Sequence, residues 1–296
     1  MQLNAYAKIN LGLDVLGRRE NGYHDLNMIM QSIELHDIIY LDAVPETTGS
    51  GREGEIAVSC NVPGLPCDER NLAYKAARLL FSEFAITDHV QIDIEKHIPI
   101  AAGLAGGSTD AAAVLKGINE FFMLGLSDED LAERGVKLGA DVPFCLMGGT
   151  AKAEGIGEVL MPMMTPEGLS VVLAAPDIEV STKEIYEELD RITISRHPDL
   201  DHLQAAIDME DIGCIPEFLG NVLEEVTIPK HPEIGKIKEF FMSNGAAGAL
   251  MSGSGPSVYG LFVDEATAEK AYRSLKETEL AKDVFLTSFY SSLGGF

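Results

Sequence analysis

The stretch "AAGLAGGSTDAA", Ala101 to Ala112, is nearly free of bulk and charge. It follows the alternating segment "HVQIDIEK" and leads into "STDAAAVLKGINEFF", whose helix formers predict a helix from near Ser108. A helix start leaves about four amides without intrahelical partners and carries partial positive charge, which suits a phosphate. Gly103, Gly106 and Gly107 would let such amides reach an oxygen with no Cβ in the way. Ser108 or Thr109 could add a hydroxyl as a donor or metal ligand, and Lys96 a cation at the mouth. The same small residues would equally let a helix lie close on a sheet. Spacing alone leaves both readings open, and they are compatible.

Two more residues could complete a phosphoryl-transfer site. "GADVPF" puts Asp141 in a turn-like stretch ahead of Pro143, and "YAKINLGL" puts Lys8 among apolar neighbours. Taken singly, Asp141 reads as a turn or cap residue and Lys8 as a strand lysine facing solvent. Together they offer a carboxylate to orient or deprotonate a hydroxyl and a cation beside it. In "NGYHDL", Asn21-Gly22 makes a turn that could present Tyr23 as a stacking face and His24 as a hydrogen-bonding edge to a flat base. A plain surface turn fits those residues as well. Other nucleotide and nucleophile motifs fail. No GxxxxGK[ST] occurs, "GSGPSVYG" has Val258 where a dinucleotide fingerprint needs glycine, and "GGSTD" has Asp110 where a nucleophile elbow needs one.

The elements that must position these residues are legible as periodicity. "LNAYAKINLGLDV" alternates as a half-buried strand does, and "MIMQSIELHDIIYLDAV" reads as one or two more. "NLAYKAARLLFSEF" has helical spacing, and "SDEDLAERGVKLG" opens with a capping-box-like Ser127 and Asp130. Beyond Thr150 come the strand "LSVVLAAP", helices from near Ser181 and Pro232, and two strands around a glycine-rich turn in "AALMSGSGPSVYGLFV". The helix "DEATAEKAYRSLKE" and the closing strand "VFLTSFYSS" follow, and Pro45 to Glu55 reads as a surface loop. Strands grouped in this way, without strict βα alternation, predict an α+β fold.

Composition bounds the partners. The 296 residues carry 47 acidic against 22 basic side chains, a net charge of −25, which disfavours nucleic acid. Any phosphate must then be met by local amides, a few chosen cations or a metal. No run reaches the roughly 18–20 apolar residues of a membrane span, and the first residues lack a signal-peptide pattern. Cys60, Cys67, Cys145 and Cys214 form no CxxC pair, so free thiols in a reducing compartment, the cytoplasm, are expected.

The segments "AKINLGLDVLGRRENGYHDL", "IEKHIPIAAGLAGGSTDAAAVL", "LGADVPF" and "MSGSGPSV" resemble, in that order, the GHMP kinase superfamily. That superfamily includes galactokinases, homoserine kinases, mevalonate kinases and phosphomevalonate kinases. "NGYHDL" is most similar to the member acting on a methylerythritol that carries a diphosphocytidyl group, in isoprenoid precursor synthesis. The resemblance implies a two-domain fold, residues 1–150 binding ATP and 151–296 following, with the active site in the cleft between them. The final strand would pack back on the first domain. It also implies Mg²⁺, a small-molecule acceptor, and a monomer or weak homodimer.

Residue by residue, the resemblance makes Gly103, Leu104, Ala105, Gly106, Gly107 and Ser108 the phosphate loop, with Lys96 and Pro99 near the nucleotide. Asp141 becomes the catalytic base and Lys8 its partner. Asn10 would line the diphosphate-methylerythritol site, Tyr23 and His24 would bind cytosine, and Tyr186 would close that pocket. Gly253, Ser254 and Gly255 match a third motif bracing the substrate site. Ala101, Ala102 and Ala105 stand where many relatives carry glycine. A methyl group is tolerable where φ is negative, so altered loop stiffness is expected there, with binding retained.

Overall fold

The computed structural model describes residues 1–44 and 54–292, so the loop expected from Pro45 lies, except for Gly54 and Glu55, outside the described residues. Two long strands, β1 (Gln2–Arg18) and β2 (His24–Val44), run through both of the compact units into which the chain divides. Unit 1 holds Met1–Ala7, His36–Ile100 and Ala105–Met147; unit 2 holds Lys8–Leu35, Ala101–Leu104 and everything from Gly148. The units are interleaved along the chain, and the resemblance implies domains of residues 1–150 and 151–296.

In unit 1, β3 (Ile56–Cys60) lies parallel to β4 (His89–Glu95), which pairs antiparallel with Ile38–Val44 of β2. Helices α1 (Leu72–Phe84) and α2 (Gly106–Phe121) cover this sheet. Alternation along β4 points Val90, Ile92 and Ile94 into one core with Ala76, Ala77, Leu80 and Phe81 of α1. Ala111, Ala112 and Ala113 of α2 are buried there too, so the small residues after the glycine loop do serve close packing. Short α3 (Asp128–Gly135) carries the expected capping box, Ser127 and Asp130 each bonding the other's backbone. It is followed by α4 (Val142–Met147).

In unit 2, Leu26–Gln31 of β2 pairs with β5 (Thr150–Gly155), which folds back on β6 (Val159–Met163). β2 is thus one strand with different partners at its two ends, which explains why its pattern suggested two. A second sheet contains β7 (Ser170–Ala175), with helices α5 (Thr182–Leu189) and α6 (Leu200–Asp208) following it in the chain. Next come β8 (Gly220–Asn221), parallel to β1 at Gly12, then α7 (Glu224–Lys230) and α8 (Pro232–Ser243). β9 (Gly248–Met251), β10 (Val258–Phe262), α9 (Glu265–Lys276) and β11 (Asp283–Ser288) complete the chain order. The second sheet runs β11-β7-β10-β9, antiparallel throughout. All of β10 is buried, and Phe241 of α8 meets Phe262 edge to face at 6.4 Å. The closing strand belongs to this sheet. Only the residues after it return to β2, through an Ile33–Phe289 bridge and a bond from Tyr290 N to Ser32 O of 2.8 Å.

Candidate active site

The α2 helix begins at Gly106, two residues earlier than its composition predicts, with Ala105 at the N-cap position and no side chain capping it. The amides of Gly106, Gly107 and Ser108 therefore have no intrahelical acceptor, and Gly107 is exposed. Ser108 stands beside the turn before α4: a Cβ on Gly139 would lie 3.8 Å from Ser108 Oγ. Asp141 ends that turn, its carbonyl accepting from Cys145 N at 3.0 Å, and is half-buried. Its carboxylate has no hydrogen bond or ion pair among the described residues. Unit 1 so places bare helix-start amides, a hydroxyl and an unengaged carboxylate on neighbouring segments. These residues fit a nucleotide's phosphates.

Lys96 has another employment. Its ammonium binds the carboxylates of Asp37 on β2 and Asp110 on α2, the latter at 2.8 Å, and its side chain is only 5% exposed. Asp37 also accepts from the amides of His97 at 2.6 Å and Ile98 at 2.8 Å. The cation expected at the mouth is thus a buried strut that ties the β4–α2 connection to β2, and a Cβ on Gly106 would lie 3.1 Å from its Nζ. Burial pulls the ammonium down, but Asp110 and Asp37 outweigh it and raise Lys96 above its ordinary value. Pro99, half-buried in the same connection, brings only its fixed backbone.

Burial pushes the Asp110 carboxyl up to about 7, Lys96 opposing and Asp37 reinforcing, and Asp110 Oδ1 has no hydrogen-bond partner. Between its ordinary range near 3.8 and about 7, folded Asp110 holds a proton that the unfolded chain has released. Stability from this group therefore falls as pH rises through that window. Asp110→Asn should gain stability relative to the wild type between pH 4.5 and 7.5. Urea unfolding at the two pH values checks this; a constant difference would remove Asp110 from the titration.

The other half of the loop is anchored in unit 2. Gly103 has φ +77°, and a Cβ there would lie 2.3 Å from Ser252 O, so only glycine fits. Ser252 Oγ donates to Gly103 O at 2.9 Å, and Lys8 N donates to the carbonyl of buried Leu104 at 3.1 Å. Ala101 and Ala105 have φ of 53° and 57°. The negative φ that would make a methyl harmless is absent at both, and each alanine bears strain of roughly 1–2 kcal/mol. Ala102 is not so placed.

Lys8 and Asn10 converge with the third motif. Lys8 Nζ donates to Asn10 Oδ1 at 2.8 Å, and Gly253 N donates to the same oxygen at 3.1 Å. Asn10 is wholly buried, and its Oδ1 braces Lys8 and Gly253. Asn221, which the sequence did not single out, donates to Met251 O at 2.9 Å and Gly253 O at 2.8 Å. Ser254 Oγ shares a bond of 2.7 Å with Thr182 Oγ1, and Gly255 holds φ +90°.

Also in unit 2, the turn after β1 closes by Arg19 N to Tyr23 O at 2.7 Å, with Asn21 Oδ1 accepting from Tyr23 N at 3.1 Å. Tyr23 is 59% exposed. The His24 ring packs on Tyr186 of α5, centroids 4.8 Å apart and planes 31° apart, and its Nε2 meets Asp190 Oδ1 at 2.8 Å. Asp190 also pairs with Arg18 at 3.2 Å. His24 and Tyr186 thus lie ring to ring in unit 2, and the Tyr23 ring is left open to solvent.

Bare amides at the start of a helix, in an α+β fold, suit the phosphates that a small-molecule kinase handles. Family models agree: one described as GHMP kinases N terminal domain matches residues 71–149, and one described as GHMP kinases C terminal matches 203–279. The chain belongs to the GHMP kinases. It is 47% identical over 292 residues to 4-diphosphocytidyl-2-C-methyl-D-erythritol kinase of Lachnoclostridium phytofermentans, covering 99% of this chain and 98% of that protein. A crystal structure of 4-(cytidine 5'-diphospho)-2C-methyl-D-erythritol kinase matches with a TM-score of 0.80 at 29% identity, over 98% of this chain and 99% of that one. Homoserine kinase from Cytophaga hutchinsonii, with a TM-score of 0.76 at 19% identity over 98% of this chain and 94% of that one, shares the fold.

Proposed function

We propose that the protein transfers the γ-phosphoryl group of ATP to the 2-hydroxyl of 4-diphosphocytidyl-2-C-methyl-D-erythritol, in the non-mevalonate route to isoprenoid precursors. The observation that carries the substrate is the His24–Tyr186 ring pair beside the Asn21-Gly22 turn, in a chain 47% identical over 292 residues to a kinase of that name. In the reaction the hydroxyl oxygen bonds to the γ-phosphorus, the bond from that phosphorus to the bridging oxygen breaks, and ADP leaves. Asp141 orients the hydroxyl and takes its proton. Lys8 steadies negative charge developing at the acceptor, and the amides of residues 106–108 hold the phosphates.

The Ser108 hydroxyl would hold Mg²⁺, which would supply charge neutralisation for the nucleotide's phosphates. No group of three or more His, Cys, Asp or Glu able to hold a metal occurs among the described residues. Mg²⁺ on a nucleotide commonly keeps waters and takes only one or two protein ligands, so a lone hydroxyl fits it. The four cysteines are free, and no helix of the described residues is long and apolar enough to cross a membrane. The cytoplasm is the proposed compartment, where such thiols stay reduced.

A coupled ADP-release assay tests the reading with three acceptors: 4-diphosphocytidyl-2-C-methyl-D-erythritol, mevalonate and homoserine. Turnover of the first, well above the other two, is expected. Preference for either of the others would overturn the substrate and leave the kinase.

A further inference from the structure

His24 is held from two sides by one helix. Tyr186 lies on α5 and Asp190 at its C-terminal end, four positions later, so both side chains fall on the same face of the helix. The first packs on the His24 ring and the second meets its Nε2 at 2.8 Å. The His24 side chain is only 10% exposed, and Arg18, at 3.2 Å from the other oxygen of Asp190, fixes the carboxylate from the end of β1. The arrangement fixes more than the position of the ring.

A carboxylate only accepts hydrogen bonds, so the imidazole nitrogen facing it must carry the proton. In a ring with one proton, the other nitrogen is then an acceptor. Cytosine presents an amino donor at its 4-position where a uracil-type base presents a carbonyl acceptor. We propose that Asp190 is a positioning residue that sets base choice: by drawing the His24 proton to Nε2 it leaves Nδ1 as an acceptor for the amino group of cytosine, and so against uracil. This rests on the cytidine-bearing substrate proposed above.

The test uses the whole protein at pH 8.5, above the ordinary imidazole range of about 6.5. CMP and UMP are titrated calorimetrically into the wild type, Asp190→Asn and Asp190→Ala. The wild type should bind CMP at least about 10-fold more tightly than UMP, the scale of one base-edge hydrogen bond. In Asp190→Asn the carboxamide can donate to Nε2 and send the proton to Nδ1, so the preference should fall to about 3-fold or less. Asp190→Ala should lose most of it as well. Nitrogen-15 NMR of the His24 ring should report the Nε2–H form in the wild type and its loss in Asp190→Asn. A residue with a merely structural role would weaken CMP and UMP alike. An unchanged CMP-to-UMP ratio in both variants, or a wild-type ring protonated on Nδ1, overturns the role of Asp190 and leaves the substrate standing. A wild type that binds neither nucleotide overturns the cytidine-bearing substrate itself.

Discussion

Asp141→Asn should lower kcat by about 10²–10⁴-fold, the usual contribution of a general base, while the dissociation constant for ATP changes little. The expectation follows from what Asp141 touches. Its carbonyl starts the short α4 helix, which asparagine preserves, whereas its carboxylate makes no bond among the described residues. Fold and phosphate loop are thereby spared, and the loss falls on the carboxylate proposed to take the proton. A Lys8→Met variant should also lose kcat, and the two losses should not add in the double variant, because the proposed function has both residues serve one acceptor hydroxyl and such residues fail as a unit. Steady-state kinetics with ATP binding measured separately decides. An Asp141→Asn enzyme with more than half of wild-type turnover would take Asp141 out of the chemistry.

Periodicity was a reliable guide wherever an element packs one face on a core. β4 alternates and α1 repeats at helical spacing because each faces the same apolar layer, and both lie where their patterns place them. The α4 helix was hidden because it is only six residues long and carries Pro143 near its start, which reads as a turn. β5 and β6 were hidden because "TAKAEG" and "VLMPM" are short and do not alternate cleanly. Among site residues, those adjacent in sequence were legible. The glycine loop stands out as a run of small residues before a helix, although its spacing alone fits both phosphate binding and close packing.

Partnerships across the chain were not legible. Lys96 reads as a free cation until Asp37, 59 residues away, and Asp110 are seen to enclose it. Asn10 reads as a polar strand residue that could reach a ligand. Its Oδ1 is already taken by Lys8 and by Gly253, which is 243 residues away. Asp190 lies 166 residues from His24, and Asn221 about thirty from the loop it braces. None of these has a local spacing signature, because the contact is made by tertiary folding alone. The alanines at 101 and 105 carry the same lesson for backbone: a residue type permits a positive φ only at a cost, and the sequence does not say where that cost is incurred.

Tyr186→Ala should weaken binding of the cytidine-bearing substrate by about 5- to 150-fold, since stacking on one aromatic ring is worth roughly 1–3 kcal/mol. Tyr23→Ala should fall in the same range, but the two differ in what else they lose. Tyr23 is 59% exposed, so its truncation should leave thermal stability nearly unchanged. Tyr186 packs on His24 at 4.8 Å, so its truncation also removes a ring contact worth about 0.5–1.5 kcal/mol of stability. Tyr186→Phe keeps the ring face and should keep the affinity, which separates stacking from any bond made by the hydroxyl. ATP binding should be unaffected in all three, because none of them alters the amides of residues 106–108 proposed to hold the phosphates. Calorimetric titration of CMP with an ATP analogue saturating, beside melting curves, measures both effects. If the alanine variants bind CMP as tightly as wild type, the base does not stack on these rings, and the turn at Asn21-Gly22 returns to being a surface turn.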